Sequence, residues 1–151
     1  MELASTELAR TVEAAETVLR QVSEAESERP ALPGGWSRKQ LLGHLIDSAS
    51  NNHQRFVRAA LAAGELEFPG YDTPGCVRIQ AVEAASWSML VDLWACYNRY
   101  LVHVIRHLPG ARLDAVCRIG SNAPVSLRFL VEDYLRHLLH HLDQIGAARE
   151  P

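Results

Sequence analysis

Cysteine is scarce in this sequence, and its spacing limits the sites that cysteine can build. The chain has three cysteines among 151 residues. Cys76, Cys96 and Cys117 are widely separated, and no two of them form a CxxC pair. This pattern fits reduced thiols better than a disulfide framework or a cysteine-ligated zinc site. If the protein binds a metal ion, histidine must hold it.

Long apolar runs and a surplus of basic residues are also missing. No apolar run approaches the roughly 18 residues that a membrane span requires, and the N-terminus lacks the basic start and apolar centre of a signal peptide. The formal net charge of −3 gives no broad basic field that would attract nucleic acid or an anionic membrane. We therefore expect a soluble, cytoplasmic protein with neither nucleic acid nor a membrane as a partner.

Apolar residues are plentiful, and their periodicity is helical. They make up 48% of the chain, which is enough for one core in a single domain over residues 1–151. The periodicity predicts four helices, at about residues 2–28, 37–63, 80–108 and 125–147. The second has the strongest start signal, with Ser37 as N-cap and Gln40 three residues later. With little strand signal beyond a short extended piece near Cys117, the pattern indicates an all-α four-helix bundle.

Histidine occurs seven times, and two HxxxH pairs lie in the predicted helices. Residues four apart share a helix face, so His103 can approach His107, and His137 can approach His141. Arginines lie one turn from the first pair and would repel a dication, whereas an aspartate precedes the second pair by one turn. Helical phase puts His137 and His141 at the border of the apolar arc, with His140 nearly opposite. The second pair is the better metal candidate, and its alternative is a solvated or hydrogen-bonded structural pair.

A third ligand can come from the second predicted helix, which carries His44 and His53. Phase puts His53 near the apolar arc and His44 on a polar stripe with Asn51 and Arg55, so phase alone favours His53 as the inward residue. Two interpretations remain open. Either the polar stripe lines a water-filled cleft, while His53 is a hydrogen-bonded core residue, or the stripe is a solvated face.

The chain resembles the DinB-like or YfiT-like metalloenzyme family over residues 34–147. The resemblance lies in four segments that occur in the family's order, GWSRKQLLGHLIDSASNNHQRF, FPGYD, YNRYLVHVIRHLP and EDYLRHLLHHLDQIG. It implies an up-down-down-up four-helix bundle, a homodimer in many members, and a divalent ion held by three histidines. Carried over to this chain, these ligands are His44, His137 and His141. This chain departs from the family pattern at one residue expected in the wall of the substrate pocket, where Cys76 stands in place of the tryptophan of similar sequences.

The family resemblance also implies a reaction class. Three neutral imidazoles leave a zinc or nickel ion with its full charge and an open position, where it can activate water or stabilise a thiolate. Family members resemble thiol S-transferases that use bacillithiol or mycothiol, so the leading hypothesis is metal-dependent transfer of a low-molecular-weight thiol to an electrophile. The alternatives are a metal-dependent hydrolase and a non-catalytic, stress-associated dimeric scaffold that binds metal.

Four polar residues are candidates for contacts with a small-molecule substrate. Asn51 and Arg55 lie on the His44 stripe and can bind an anionic or carboxylate group, although a solvated face explains them equally well. Tyr71 and Asp72 lie in the loop GELEFPGYDTPG between the second and third predicted helices. They can contact substrate or orient a ligand histidine, while Asp72 also suits the start of a turn.

Overall fold

Helices dominate the computed structural model, which describes residues 1–31 and 33–147. The helices are α1 Glu2–Leu19, α2 Glu24–Ser27, α3 Arg38–Leu61, α4 Thr73–Ile79, α5 Trp87–Arg106 and α6 Leu127–Ile145. The strands are β1 Leu66–Phe68, β2 Val116–Ile119 and β3 Val125–Ser126. Single 3₁₀ turns occur at Val82–Ala84 and Gly110–Arg112. None of the described helices is long and apolar enough to cross a membrane.

The four long helices, α1, α3, α5 and α6, form an up-down-down-up bundle, which confirms the predicted fold. The indole of Trp87 donates to the last carbonyl of α1 at 2.8 Å, so α5 begins where α1 ends and runs antiparallel to it. Arg112, just after α5, donates to the carbonyl of Ala60 near the end of α3, so these two helices end at the same end of the bundle and are parallel. Arg38 at the start of α3 donates to the carbonyl of Ile145 at the end of α6, so α3 and α6 are antiparallel.

Helix α3 begins where the sequence predicts. The Oγ atom of Ser37 accepts a hydrogen bond from the amide of Gln40 at 3.2 Å, and the side chain of Gln40 accepts one from the amide of Ser37 at 2.9 Å. This reciprocal pair satisfies two of the amides that a helix N-terminus leaves without partners. The first turns of α3, which carry His44, therefore have a fixed starting point.

Three other helix boundaries differ from the predicted ones because a serine caps a new helix at each. The first predicted helix ends at Leu19, and Ser23 then caps the separate short helix α2. Helix α5 begins after its cap Ser86, well beyond residue 80. Helix α6 is capped by Ser126 and begins at Leu127, two residues after the predicted start. Serine favours such positions because its hydroxyl accepts from amides near the start of the helix.

A small sheet lies at the end of the bundle where α3 finishes and α6 begins. Strand β1 pairs in parallel with β2, which pairs antiparallel with β3. Cys117 lies in β2, which confirms the short extended piece predicted there. The histidine cluster lies at the opposite end, where α3 begins and α6 ends. The connection that contains α4 returns toward that end, because Gln80 donates to the side chain of Asp47 at 2.6 Å.

The core lies between the four long helices and includes one buried polar network. Trp94, Phe56 and Tyr134 are among its largest fully buried side chains. The hydroxyl of Tyr134 donates to the side-chain oxygen of Asn98, whose amide group donates to the carbonyl of Trp94 at 2.9 Å. These polar groups therefore have the partners that buried polar groups require. The packing fixes α3, α5 and α6 relative to one another.

Candidate metal centre

Three histidines from two helices meet near the α3 start of the bundle. His44 comes from α3, while His137 and His141 lie one turn apart on α6. Each imidazole offers a nitrogen, and these nitrogens all lie within 4.8 Å of one another. The Nε2 atoms of His44 and His137 are 3.0 Å apart. Among the described residues, this is the one group of three or more potential ligands that converges in this way.

The structure gives His44 and His53 different surroundings. His44 is 6% exposed and faces α6, whereas half-buried His53 faces α5 and lies 3.2 Å from the hydroxyl of Tyr97 through Nδ1. Helical phase alone favoured His53 as the inward residue. Phase failed here because α3 packs against both α5 and α6, so its apolar arc does not identify the side that faces the other histidines.

Contacts to the Nδ1 atoms orient the imidazole rings of the two histidines of α6. The Nδ1 atom of His141 lies 2.7 Å from Oε1 of Gln144, so Nδ1 carries the hydrogen and the lone pair of Nε2 is free. The Nδ1 atom of His137 lies 3.4 Å from the hydroxyl of Ser48 on α3. The Nδ1 atom of His44 is buried without a hydrogen-bond partner. Such contacts to the second ring nitrogen are what holds metal-binding histidines in one orientation.

Burial keeps the three imidazoles neutral. It lowers the pKa of His44 to about 4, with a smaller contribution from the neighbouring His137 and His141. Burial also lowers the pKa of His137 to about 4, and His141 lowers it further, while Asp133 opposes the shift. The pKa of His141 is lowered by burial as well, although its contact with Gln144 opposes this. At neutral pH, the three rings are therefore present in the form that binds a metal ion.

The donor set fits one divalent ion. Two neutral imidazoles with Nε2 atoms 3.0 Å apart require either a shared hydrogen or a cation between them. In a tetrahedral zinc site with Zn–N distances near 2.0–2.1 Å, ligand nitrogens lie about 3.3 Å apart, which is close to the observed separation. Three imidazoles also leave one coordination position open for water or substrate, as in catalytic zinc sites.

The remaining histidines of the HxxxH segments are exposed. His103 and His107 are both exposed, and the Nδ1 atom of His107 lies 2.7 Å from the carbonyl of His103. His140 is also exposed and lies 3.2 Å from the side-chain nitrogen of Gln144. Neither arrangement brings a third ligand to the pair on α5.

Two of the four predicted substrate residues lie on α3, further along the helix than His44. Along α3, Asn51 is about 10 Å and Arg55 about 16 Å from His44, at 1.5 Å per residue. Arg55 and Tyr71 are half-buried near each other, and burial lowers the pKa of Arg55 and raises that of Tyr71. Asp72 is exposed and caps α4, with Oδ1 accepting from the amide of Gly75 at 3.0 Å. Asp72 therefore lies at a turn that starts a helix, which agrees with the alternative role given to it from the sequence.

Sequence reasoning missed three residues beside the cluster. The ring of Trp36 lies edge-on to that of His44, with centroids 5.8 Å apart. Gln144 and Ser48 contact the second nitrogens of the α6 histidines. The position of Gln144, three residues after His141, was a usable signal, because residues at that spacing are neighbours on a helix. The sequence alone held no comparable signal for Trp36, which reaches the cluster from the loop before α3.

Comparison with known proteins places the chain in a family. A sequence model of the DinB superfamily matches residues 7–145. The chain belongs to the DinB superfamily. A protein of Bacillus pumilus (strain SAFR-032), named provisionally as a metal-dependent hydrolase, is 27% identical over 140 residues. That match covers 92% of this chain and 79% of the relative.

Two solved structures share this DinB-superfamily fold. YfiT from Bacillus subtilis, described as a probable metal-dependent hydrolase with an unusual four-helix bundle topology, matches with a TM-score of 0.80 and 19% identity. The match covers 94% of this chain and 83% of YfiT. A mycothiol-dependent maleylpyruvate isomerase matches with a TM-score of 0.79 and 19% identity over 97% of this chain. This chain spans 60% of the isomerase. At these identities, both likenesses concern the fold alone.

Proposed function

We propose that this DinB-superfamily protein is a metal-dependent enzyme that transfers a low-molecular-weight thiol, similar to bacillithiol or mycothiol, to an electrophile. The proposal depends on one observation, the convergence of His44, His137 and His141 as neutral imidazoles. They are the proposed ligands of one divalent ion. When bound, such an ion supplies a Lewis acid that makes a thiol or a water molecule nucleophilic at neutral pH.

The chain's own residues prepare the site in three ways. Burial keeps the ligand imidazoles neutral, so no proton has to leave before an ion binds at neutral pH. Gln144 holds the hydrogen of His141 on Nδ1, which directs Nε2 toward the other two rings. The ring of Trp36 packs edge-on against that of His44, with centroids 5.8 Å apart. The site is therefore preorganised before substrate arrives.

Thiol transfer is favoured over hydrolysis by the polar stripe of α3. Arg55 is half-buried, and none of the hydrogen bonds or ion pairs among the described residues involves its guanidinium. A half-buried guanidinium without an anionic partner suits a ligand that carries a carboxylate, and bidentate pairing would add specificity. The fold likeness to a mycothiol-dependent enzyme supports the same choice. The names of the two Bacillus proteins support the second candidate, a metal-dependent hydrolase.

A screen with and without metal tests the proposal. Bacillithiol, mycothiol, glutathione and cysteine would be combined with a panel of electrophiles and zinc- or nickel-loaded protein, and adducts would be measured by mass spectrometry. We expect an adduct that requires both the ion and one particular thiol. It should disappear in His141→Ala and persist in His107→Ala, which changes an exposed histidine outside the cluster.

Other outcomes select the other functions. Metal-dependent cleavage of a model ester without any thiol adduct would replace transfer by hydrolysis. If no substrate class turns over and removal of the ion greatly lowers the melting temperature, the results favour the non-catalytic scaffold, in which the ion only stabilises the fold.

We propose zinc or nickel as the native ion, because imidazole nitrogen suits both. A cytoplasmic location also belongs to the proposal. Cys76, Cys96 and Cys117 are all free thiols, and free thiols are typical of reducing compartments.

We propose that the protein is a homodimer that pairs through the α3–α5 surface. This surface is the outward stripe of the two parallel helices, comprising Val57, Leu61, Met89, Leu93, Cys96 and Tyr100. Leu61 is 80% exposed and Tyr100 51%. His53 joins the two helices, because its ring lies edge-on to that of Tyr100, with centroids 5.3 Å apart. A second copy would cover these uncharged residues and remove their apolar surface from water.

A further inference from the structure

A cavity of about 280 Å³ borders the histidine cluster on the side of the loop before α3. We call it the Trp36 pocket. It is lined by Ala31, Gly35, Trp36, Leu41, His141 and Gln144. Its volume is just below the range of about 300–1,000 Å³ typical of small-molecule sites, so it suits one group of a ligand and not a whole large ligand.

The Trp36 pocket shares residues with the candidate metal centre. His141 belongs to the lining and to the cluster. The ring of Trp36 forms another wall and meets the ring of His44 at an interplanar angle of 73°. A group in this pocket would therefore lie against the ring of a proposed metal ligand. The non-reacting part of a substrate, bound there, would position the rest of the substrate beside the metal centre.

The lining has apolar surface and no charge among the described residues. Gln144 is polar, but its Oε1 atom is already bonded to His141 at 2.7 Å and its Nε2 atom lies 3.2 Å from His140. A carboxylate or an ammonium group in this pocket would lose water without gaining a partner, which is costly. The lining therefore favours a neutral apolar group.

The indole wall is held in place by the backbone around it. The amide of Ala31 donates to the carbonyl of Trp36 at 2.9 Å, and Pro30 pairs with Ser37 in an antiparallel bridge. The capping box of Ser37 and Gln40 then fixes the next residues at the start of α3. Because the loop is closed on both sides of Trp36, the wall exists before a ligand binds, which lowers the entropic cost of binding.

We infer that the Trp36 pocket binds a neutral apolar group of the electrophile, an aromatic ring or a branched alkyl chain. Its description as a substrate subsite rests on the proposed function. The two proposed binding regions then differ in chemistry. The α3 stripe with Asn51 and Arg55 suits the charged thiol, while the Trp36 pocket suits the uncharged part of its reaction partner.

Direct binding tests the inference without any turnover. N-phenyl-1-naphthylamine, a neutral fluorescent probe, would be titrated into wild-type protein, Ala31→Leu and Ala111→Leu. Ala31→Leu adds an apolar side chain inside the pocket, while Ala111→Leu makes the same change at an exposed position. One methylene in a hydrophobic pocket changes discrimination by about 10- to 200-fold. We expect saturable binding that weakens at least about tenfold in Ala31→Leu and is unchanged in Ala111→Leu.

Competition tests the charge requirement, and metal analysis separates the two proposals. After a chelator has removed any bound ion, phenylacetamide should displace the probe at least about tenfold better than phenylacetate, which has the same ring and a carboxylate. Equal binding by wild type and Ala31→Leu, or equal displacement by the two competitors, overturns the inference. Metal content is measured on the same preparations before the chelator is added. Metal without probe binding rejects the pocket and leaves the proposed function standing, whereas probe binding without metal supports the pocket and rejects the metal-dependent function.

Discussion

Each imidazole of the cluster has two nitrogens, and its neighbours determine which one faces the other rings. Gln144 occupies Nδ1 of His141, and Ser48 approaches Nδ1 of His137. The pair on α5 also has one ring nitrogen with a partner, since the Nδ1 atom of His107 lies 2.7 Å from the carbonyl of His103, but both of its imidazoles are exposed. Two HxxxH pairs with the same spacing thus differ in the groups around them, and only the pair on α6 meets a third histidine among the described residues.

The first prediction concerns metal content. Protein purified without a histidine tag should contain about one zinc or nickel ion per chain, because three imidazoles form one site. His44→Ala and His141→Ala should lose the ion, whereas His53→Ala and His140→Ala should retain it. Mass spectrometry of the metal would measure this. Loss in His140→Ala with retention in His141→Ala would contradict the assignment of ligands on α6.

The second prediction concerns Gln144. Gln144→Ala should weaken metal affinity by about 10- to 100-fold, because partners of the second ring nitrogen orient a ligand histidine. Competition with a fluorescent chelator would measure the affinity. His140→Ala is the matched control, since it removes the other contact of Gln144 and leaves the contact between Gln144 and Nδ1 of His141 in place. Equal affinity in Gln144→Ala and wild type would show that the 2.7 Å contact does not support the ligand.

The third prediction concerns the pH dependence of stability without metal. His44 and His137 have a pKa of about 4 in the folded protein, compared with about 6.5 when unfolded. Between these values, the unfolded chain binds more protons than the folded one, so the free energy of unfolding rises with pH. The contribution of these histidines is complete above pH ~6.5 and is lost as the pH falls toward 4.

Melting temperatures in the presence of a chelator would test this. Wild-type protein should lose stability from pH ~6.5 to ~4, and the double variant His44→Gln, His137→Gln should lose less. His107→Gln changes an exposed histidine and should behave as wild type. Identical pH profiles for wild type and the double variant would mean that the two buried imidazoles do not titrate as described.

At the scale of helices, the capping box at the start of α3 determines where the helix begins and hence where its histidine lies. Ser37→Ala should lower the free energy of unfolding by about 1 kcal/mol, because one helix amide loses its acceptor. Urea denaturation would measure the loss. Ser50→Ala, at an exposed position within the same helix, should have little effect. An equal loss in both variants would show that the cap contributes nothing specific.

The sequence predicted the helices better than the connections between them. The four long helices and the Ser37 cap followed from periodicity and from a local motif. Ser86 and Ser126 were missed as caps because apolar residues before them continue a helical pattern. Strand β1 was missed because it pairs with β2, whose partner residues lie about 50 positions further along the chain, as in Leu66 with Cys117. Local patterns do not contain such pairings.

For the candidate site, the sequence predicted the histidines but not the residues around them. Helical phase distinguished His137 and His141 from His140, and the family resemblance supplied His44. The contact of Trp36 with the cluster depends on how the loop before α3 closes against α6, which no periodicity describes. For the same reason, the Trp36 pocket could not be anticipated.

At the scale of the whole molecule, the α3–α5 surface leads to the fifth prediction. Wild-type protein should have the mass of a dimer in solution, and Leu93→Glu should be monomeric, because a charge would be buried without a partner at the interface. Light scattering after gel filtration would measure the mass. Leu3→Glu changes an 87% exposed leucine outside the surface and should leave the dimer intact. A monomeric wild type would reject the proposed interface.

The order of the helices also affects how the cluster assembles during folding. His44 and His137 are 93 positions apart along the chain, whereas His137 and His141 are neighbours as soon as α6 forms. Contacts between distant segments form late, since a long loop must close first. An ion present during refolding can meet two imidazoles early but a third only after α3 docks on α6. Tight metal uptake should therefore lag behind helix formation and report the completion of tertiary structure.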